Sequence, residues 1–183
     1  MKTKKKKAPK ISTLKNKLWS LTSQIVRLRD ANADGYAKCC TCDTVKFWRG
    51  EGLQAGHFCP AARGGATRWL LININAQCGH CNGPLSSNPL EYYAFMLEKH
   101  GQAEVDALRR KSHNVVKVSR GEYEEMIDER AAMLARMILS HEGQLDIPRM
   151  NIENRRTEPS WVASAGLREK VRIQAIECDK IKV

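Results

Sequence analysis

The sequence predicts an α+β protein that is mostly helical, with a small central unit tied together by a zinc ion and helices on either side. Three observations predict it. Apolar residues recur with helical spacing near both ends, a glycine- and aromatic-rich stretch between them favours short strands, and two C-x-x-C pairs flank that stretch. A chain of 183 residues most simply forms one domain with extensions.

The first predicted helix covers about residues 12–30. Its apolar side chains recur at spacings of four, three, four and three: Leu14, Leu18, Leu21, Ile25 and Leu28. This is one face of an amphipathic helix, with Arg27 and Arg29 elsewhere on its surface. Residues 1–12 before it are predicted to be a disordered basic arm, since MKTKKKKAPK contains six lysines and no acid. Such an arm either stays solvated or contacts a polyanion, and the two interpretations are compatible.

Residues 45–75 are predicted to form short strands joined by a loop. A helix is predicted to start at Asn88-Pro89, with Asn88 as its cap, and to stop at Gly101. A shorter helix is predicted over residues 102–110. Ser119 and Glu122 have the spacing of a capping box, which predicts another helix.

Residues 13–140 are therefore predicted to be one zinc-bearing domain with flanking helices. Residues 141–183 are predicted to be an extended segment followed by a C-terminal helix. This last region gives no indication of function.

Four cysteines have the spacing of a structural zinc site. Cys39 and Cys42 form one C-x-x-C pair and Cys78 and Cys81 another, so two tight turns can complete a tetrahedral site. The alternative is a set of buried or redox-active cysteines. The remaining central ones, Cys40 and Cys59, are predicted to pack in the interior, although Cys40 could compete as a ligand. Seven cysteines is an odd count, which disfavours a disulfide framework.

The charge of the chain indicates a polyanionic partner, and its hydropathy argues against a membrane. The formal net charge is +11, and no stretch approaches the roughly 18 apolar residues of a membrane span. The segment after the lysine run is too polar for a signal peptide. We therefore expect a cytoplasmic protein, whose cysteines are kept reduced.

The segment between the cysteine pairs contains the residues that could perform chemistry. A zinc ion with four protein ligands has no open position for catalysis, so any reaction must take place beside it. The segment supplies His57 on a predicted strand, Arg63 and Arg68 in the loop, and Asn73 before the second pair. Asn82 follows that pair directly.

The order of these elements resembles the zinc-bearing HNH, or ββα-metal, endonucleases. The shared order is C-x-x-C, G-H, then N-x-N-x-Q-C-x-x-C-N. The sequence is most similar to the NinG/Rap recombination nucleases of lambdoid phages, through RLRD, KCCTC, QAGHF, TRW and NINAQCGHCN. The resemblance covers about residues 15–140 and implies a ββα-metal, HNH/treble-clef-like core.

This resemblance implies a role for each polar residue. His57 would be the general base that deprotonates the attacking water, and Asn73, in the second strand, would orient it. Asn82 would bind a single catalytic Mg²⁺ or Mn²⁺, ions that prefer oxygen ligands. Many HNH enzymes have an aspartate before the base as second metal ligand, and this chain has Gly56 there.

Two substitutes for that aspartate are open. Gln54, two positions before Gly56 and so on the same face of a strand, could hold the metal or could be a structural polar residue. Alternatively, His57 itself helps to bind the ion. Arg63 and Arg68 are predicted to grip DNA phosphates, or else to serve solubility on a surface loop. The basic arm would add further phosphate contacts through Lys4, Lys5, Lys6 and Lys7.

The implied function is a metal-dependent, structure-selective DNA endonuclease acting on branched recombination intermediates, such as Holliday junctions and D-loops. Two alternatives are a non-catalytic zinc-ribbon DNA-binding module and a sequence-specific HNH nuclease. A homodimer is expected, because symmetric cutting of a junction needs two active sites. Recombination proteins are further candidate partners.

Overall fold

A computed structural model describes residues 8–61 and 65–142 of the chain. Its elements in order are α1 (Ile11–Arg29), β1 (Tyr36–Lys38), β2 (Val45–Phe47), β3 (Leu53–His57), β4 (Ile74–Cys78), α2 (Gly79–Asn82), α3 (Pro89–Ser112) and α4 (Arg120–Glu142). Helices predominate and the strands form two separate hairpins, so the predicted mixed α+β class with mostly helical content is confirmed. The finer prediction of a ββα-metal core stays a prediction.

The long helices α1 and α4 pack against each other and contain most of the main hydrophobic core. The predicted stripe on α1 is confirmed, since its leucines and Ile25 are all buried. The helix begins at Ile11, one residue earlier than predicted. The predicted capping box before α4 is also present: the Ser119 hydroxyl accepts from Glu122 N at 3.3 Å, and Glu122 Oε2 accepts from Ser119 N at 2.7 Å.

Two antiparallel hairpins lie between these helices. β1 pairs with β2, and β3 pairs with β4 in a register that places Leu53 opposite Cys78 and His57 opposite Ile74. All five residues of β4 are buried, because α1 covers one face of this second hairpin and α3 lies on the other. The second hairpin therefore supports both the cysteines at one end and His57 at the other.

Helix α3 departs from the prediction at its start and agrees with it in the middle. Asn88 stands at the cap position but its side chain does not cap the helix; it donates to the Thr41 carbonyl at 3.1 Å. The prediction that the Asn88 side chain caps the helix is therefore wrong, because Asn88 has a left-handed backbone, with φ 46°. The predicted break occurs at Gly101, where φ is 77° and the helical geometry is interrupted.

The end of α1 is tied to β4 by a half-buried polar network. Arg29 donates to the carbonyls of Leu71 and Ile74 at 3.0 and 2.9 Å and pairs with Asp30 at 2.8 Å. Asp30 in turn accepts from the backbone N–H of Ala76 at 2.9 Å. Arg29 lies off the apolar face of α1, as predicted, and its guanidinium joins this helix to the start of β4.

None of the helices among residues 8–61 and 65–142 combines the length and apolar character that a bilayer crossing requires.

Candidate metal centre and adjoining cleft

The four predicted zinc ligands come together in space. The sulfur atoms of Cys39, Cys42, Cys78 and Cys81 all lie within 4.8 Å of one another. Cys42 Sγ and Cys78 Sγ are 3.8 Å apart, and two sulfurs bound at about 2.3 Å to one tetrahedral zinc would lie about 3.8 Å apart. These four cysteines could therefore hold a zinc ion.

Two short turns build this cluster. The N–H of Cys39 bonds to the Thr44 carbonyl at 2.8 Å, and the N–H of Cys40 bonds to the Ala76 carbonyl at 2.9 Å, which holds the first turn beside β4. The second turn is the short helix α2, where Cys78 Sγ accepts from Cys81 N. Contact with the Thr44 hydroxyl lowers the pKa of Cys42 to about 6. Against the contact with Thr41, burial and the neighbouring sulfurs of Cys78 and Cys42 raise the pKa of Cys81 to about 12, so these close thiols share their protons.

Cys40 and Cys59 lie outside the cluster, as the packing interpretation predicted. Both belong to a hydrophobic cluster with Tyr92 and Met96, and burial raises the pKa of the Cys40 thiol. Cys40 is therefore not one of the grouped ligands.

His57 is the last residue of β3, the position predicted from the sequence. Its Nε2 lies 2.9 Å from the carbonyl oxygen of Arg68. A carbonyl can only accept, so Nε2 carries the proton and the neutral ring has its lone pair on Nδ1. The contact fixes which nitrogen is available as a base.

The electrostatics of the site keep this imidazole neutral. Burial lowers the pKa of His57 below its ordinary 6.5, and the nearby positive charge of Arg68 lowers it further, against the opposing effect of the bond to the Arg68 carbonyl. The Arg68 guanidinium lies over the Trp69 ring, at 5.0 Å from its centroid. Its Nε is buried and has no hydrogen-bond partner among the residues that the structure describes.

Asn73 takes a different place from the one predicted. It ends a 3₁₀ turn, Leu71–Asn73, just before β4, and its amide bonds to backbone groups of Cys59 and Thr67 at 2.7–3.1 Å. Among the described residues its amide bonds to Cys59 and Thr67 and not to His57, so the predicted orienting role would have to act through the loop. Asn73 instead holds both ends of the loop that carries Arg68, whose carbonyl bonds to the imidazole.

Asn82 and Gln54, the two residues predicted to hold the catalytic metal, lie in contact. Asn82 Nδ2 donates to Gln54 Oε1 at 2.7 Å, which leaves Asn82 Oδ1 on the side of Gly56. Gln54 was predicted to be a metal ligand. Its Oε1 accepts from the Asn82 amide and so orients that amide.

Gly56 is required by close packing. A Cβ at this position would lie 1.9 Å from Gln77 Oε1 and 2.9 Å from Asn82 Oδ1. Gln77 is fully buried and its Nε2 is held by the Thr41 hydroxyl and the Ser87 carbonyl, both at 3.0 Å. The place of the aspartate found in many HNH enzymes is thus filled by a glutamine side chain from the neighbouring strand.

An open cleft of about 380 Å³ lies beside the end of β3. Its lining includes His57 and Asn82 together with Ser86 and Ser87. Tyr92 forms part of its apolar side and donates to the Gly56 carbonyl at 2.7 Å, which holds the end of β3. The predicted base and the predicted metal ligand therefore face one cleft.

Three residues of this site were not predicted: Trp19, whose ring stacks on that of His57, Gln77 and Tyr92. Trp19 stands next to the leucine stripe of α1, and a large aromatic residue off the stripe was a signal of a second contact. Gln77, which with Asn75 is one of two buried polar residues in β4, was another. Nothing in the sequence distinguished Tyr92 from core. Of the predicted DNA contacts, Arg63, Lys4, Lys5, Lys6 and Lys7 lie outside the described residues.

Fold and site together define a mixed α+β protein with four clustered cysteines able to bind zinc beside a histidine-containing cleft. Comparison with protein families agrees with the resemblance found in the sequence: residues 1–138 match the family described as the bacteriophage lambda NinG protein. The chain belongs to this NinG family. Searches of curated proteins and of solved structures found no match.

Proposed function

We propose that this protein is a metal-dependent DNA endonuclease in which His57 is the general base. The observation that carries the proposal is the placement of the imidazole: its Nε2 bonds to the Arg68 carbonyl, and the ring lines a cleft shared with Asn82. Burial lowers its pKa, which favours the neutral form. A base that works near neutral pH needs this state. A zinc-ribbon module that only binds DNA has no need of it.

Arg68 supplies the second part of the proposal. Its guanidinium stacks on Trp69 and lies close enough to His57 to lower the pKa of that imidazole. The terminal N–H groups could therefore pair with a phosphate group bound next to His57. We therefore assign Arg68 to the DNA backbone, beside the base, and we assign the same role to Arg63 and to the lysines of the arm.

A catalytic Mg²⁺ or Mn²⁺ fits this cleft through one protein oxygen. Asn82 Oδ1 is left for it by the bond between Asn82 Nδ2 and Gln54, whereas Gly56 offers no side chain. Such an ion would stabilise the charge on the phosphate and on the leaving oxygen. With no carboxylate among the described residues that line the cleft, water and DNA phosphate would supply the other ligands.

The substrate that we propose is branched DNA, such as a four-way junction. The basis is membership of the phage NinG family together with the net charge of +11. Symmetric cutting of a junction requires two active sites, so we propose a homodimer.

Cleavage of a four-way junction and of a linear duplex of the same sequence, with and without Mg²⁺ or Mn²⁺, tests the proposal. We expect metal-dependent cutting of the junction and a loss of about 10²–10⁴-fold for His57→Ala, the usual contribution of a general base. Junction binding should be kept in this variant.

The matched control is His113→Ala, an exposed histidine at the end of α3, which should cut like the wild type. Full cleavage by His57→Ala would refute the assignment of the base. A protein that binds junctions tightly but never cuts them with either metal would favour the binding module. Equal cutting of junction and duplex would favour a nuclease without branch selectivity.

A further inference from the structure

Helix α1, which precedes the whole cysteine and histidine region, places an aromatic ring directly on His57. The rings of Trp19 and His57 are stacked, with centroids 4.8 Å apart and planes inclined by 15°. This near-parallel arrangement covers one face of the imidazole. Offset stacking of this kind fixes ring orientation more closely than aliphatic packing does.

Trp19 is itself held in place by two parts of the core. It packs against the cluster between α1 and α4 and also against a small cluster of Val26, Ala55 and Ile74. The indole therefore cannot turn away without disturbing both clusters. His57 has only two specific contacts of its ring among the described residues, the stack on Trp19 and the bond to the Arg68 carbonyl.

We propose that Trp19 is a positioning residue for His57. The indole fixes the plane of the imidazole, and the Arg68 carbonyl fixes its rotation within that plane. Together they hold Nε2 toward the carbonyl and leave Nδ1 as the proton acceptor. This inference rests on the proposed function for its catalytic consequence, but the positioning itself can be tested without any reaction.

The positioning is tested by NMR of the imidazole in Trp19→Leu, Trp19→Phe and the wild type. The five histidines give separable ring signals, and His57→Ala identifies the one of interest. In the wild type, the ring current of the indole should move the His57 ring protons upfield, and the ¹⁵N shifts should report a proton on Nε2 alone. Trp19→Leu should lose the upfield shift and give a mixture of tautomers. Trp19→Phe should retain a smaller upfield shift and the single tautomer.

The kinetic consequence is measured with junction DNA at saturating concentration. We expect Trp19→Leu to lower kcat by about tenfold to a hundredfold, as small misplacements of a reacting group do, with KM little changed. Trp19→Phe should recover most of the loss. Val105→Ala, at a buried position of α3 in a hydrophobic cluster that does not include Trp19, is the control for lost stability. It should lower the melting temperature while His57 keeps its ring signals.

The outcomes separate the two proposals. If Trp19→Leu leaves the His57 ring signals and tautomer unchanged, the positioning role is wrong whatever the protein does to DNA. If the signals change but kcat does not, Trp19 touches His57 without mattering to the reaction, and the proposal is equally overturned. If the wild type cuts no DNA, the proposed function fails, while the tautomer still decides whether Trp19 positions the ring.

Discussion

The two ends of the β3–β4 hairpin are built in different ways. At one end, where Leu53 pairs with Cys78, the site consists of four cysteines from two short turns. At the other end, where His57 pairs with Ile74, the ring is held by Trp19 from α1 and by the carbonyl of Arg68 from the following loop. The first site depends on local spacing and the second on contacts between distant segments.

This difference teaches what each site needs in order to form. The cysteine turns are attached to the hairpin by backbone bonds, from Cys40 to Ala76 and from Gly79 to Gly52, and a bound zinc ion would supply the remaining energy. The geometry of the cleft depends instead on how firmly α1, the loop and α3 are attached to the hairpin. Substitutions at the cysteine end and at the His57 end of the hairpin should therefore have different effects.

Removal of the metal should have the largest effect. Structural zinc contributes about 10 kcal/mol in small zinc domains, so Cys42→Ser or a strong chelator should lower the free energy of unfolding by about 5 kcal/mol or more. The first turn is bonded to β4 and Asn82 directly follows Cys81, so the cleft should be lost as well. The measurements are zinc content per chain and thermal unfolding.

Cys40→Ser is the matched control, since Cys40 adjoins the first pair but lies outside the cluster. It should retain one zinc per chain. Equal zinc loss in Cys40→Ser and Cys42→Ser would mean that Cys40 is a ligand after all.

The attachment of α1 to β4 should give the next largest effect. Arg29→Ala leaves the carbonyls of Leu71 and Ile74 without their donor, which should cost about 2–3 kcal/mol in urea unfolding. Arg27→Ala removes only a local bond to the Ser23 carbonyl, and about 1 kcal/mol or less is expected. Similar losses in the two variants would show that the network does not hold the hairpin.

Crowding at Gly56 should produce a smaller loss. Gly56→Ala places a methyl group against Gln77 Oε1 and should destabilise by about 1–3 kcal/mol. In the double variant with Gln77→Ala, the combined loss should fall short of the sum by at least about 0.5 kcal/mol, because the clash is removed. Gly121→Ala is the control, since a Cβ there meets no atom within 4 Å. Additive losses in the double-mutant cycle would exclude the close packing.

The parts of this structure that could be predicted are those that depend on residues close together in the sequence. The leucine stripe of α1 and the Ser119 capping box depend on residues three and four apart, and both were found from the sequence. The same holds for the cysteine cluster, because tight turns bring C-x-x-C sulfurs together regardless of the surroundings. The position of His57 at the end of a strand was also predicted.

The partners of His57 could not be predicted in the same way. Trp19 lies 38 positions before His57, and a backbone carbonyl such as that of Arg68 has no signature in a sequence. The resemblance implied that Asn73 orients His57, but the Asn73 amide bonds to the backbone of Cys59 and Thr67. Tertiary packing decides which polar side chain contacts a site and which one holds the loop beside it.

The smallest effect concerns the pH dependence of the cleft. A base must be unprotonated, and burial lowers the pKa of His57, so junction cutting should decline with acidity only below pH 6.5. Arg68→Gln keeps the backbone carbonyl and removes the positive charge, so the midpoint of the decline should rise toward 6.5. The measurement is kcat at saturating DNA and Mg²⁺ from about pH 5 to pH 8. A midpoint above 6.5 in the wild type would contradict a base held in a buried site, and one that falls in Arg68→Gln would show that the guanidinium does not act on His57 through its charge.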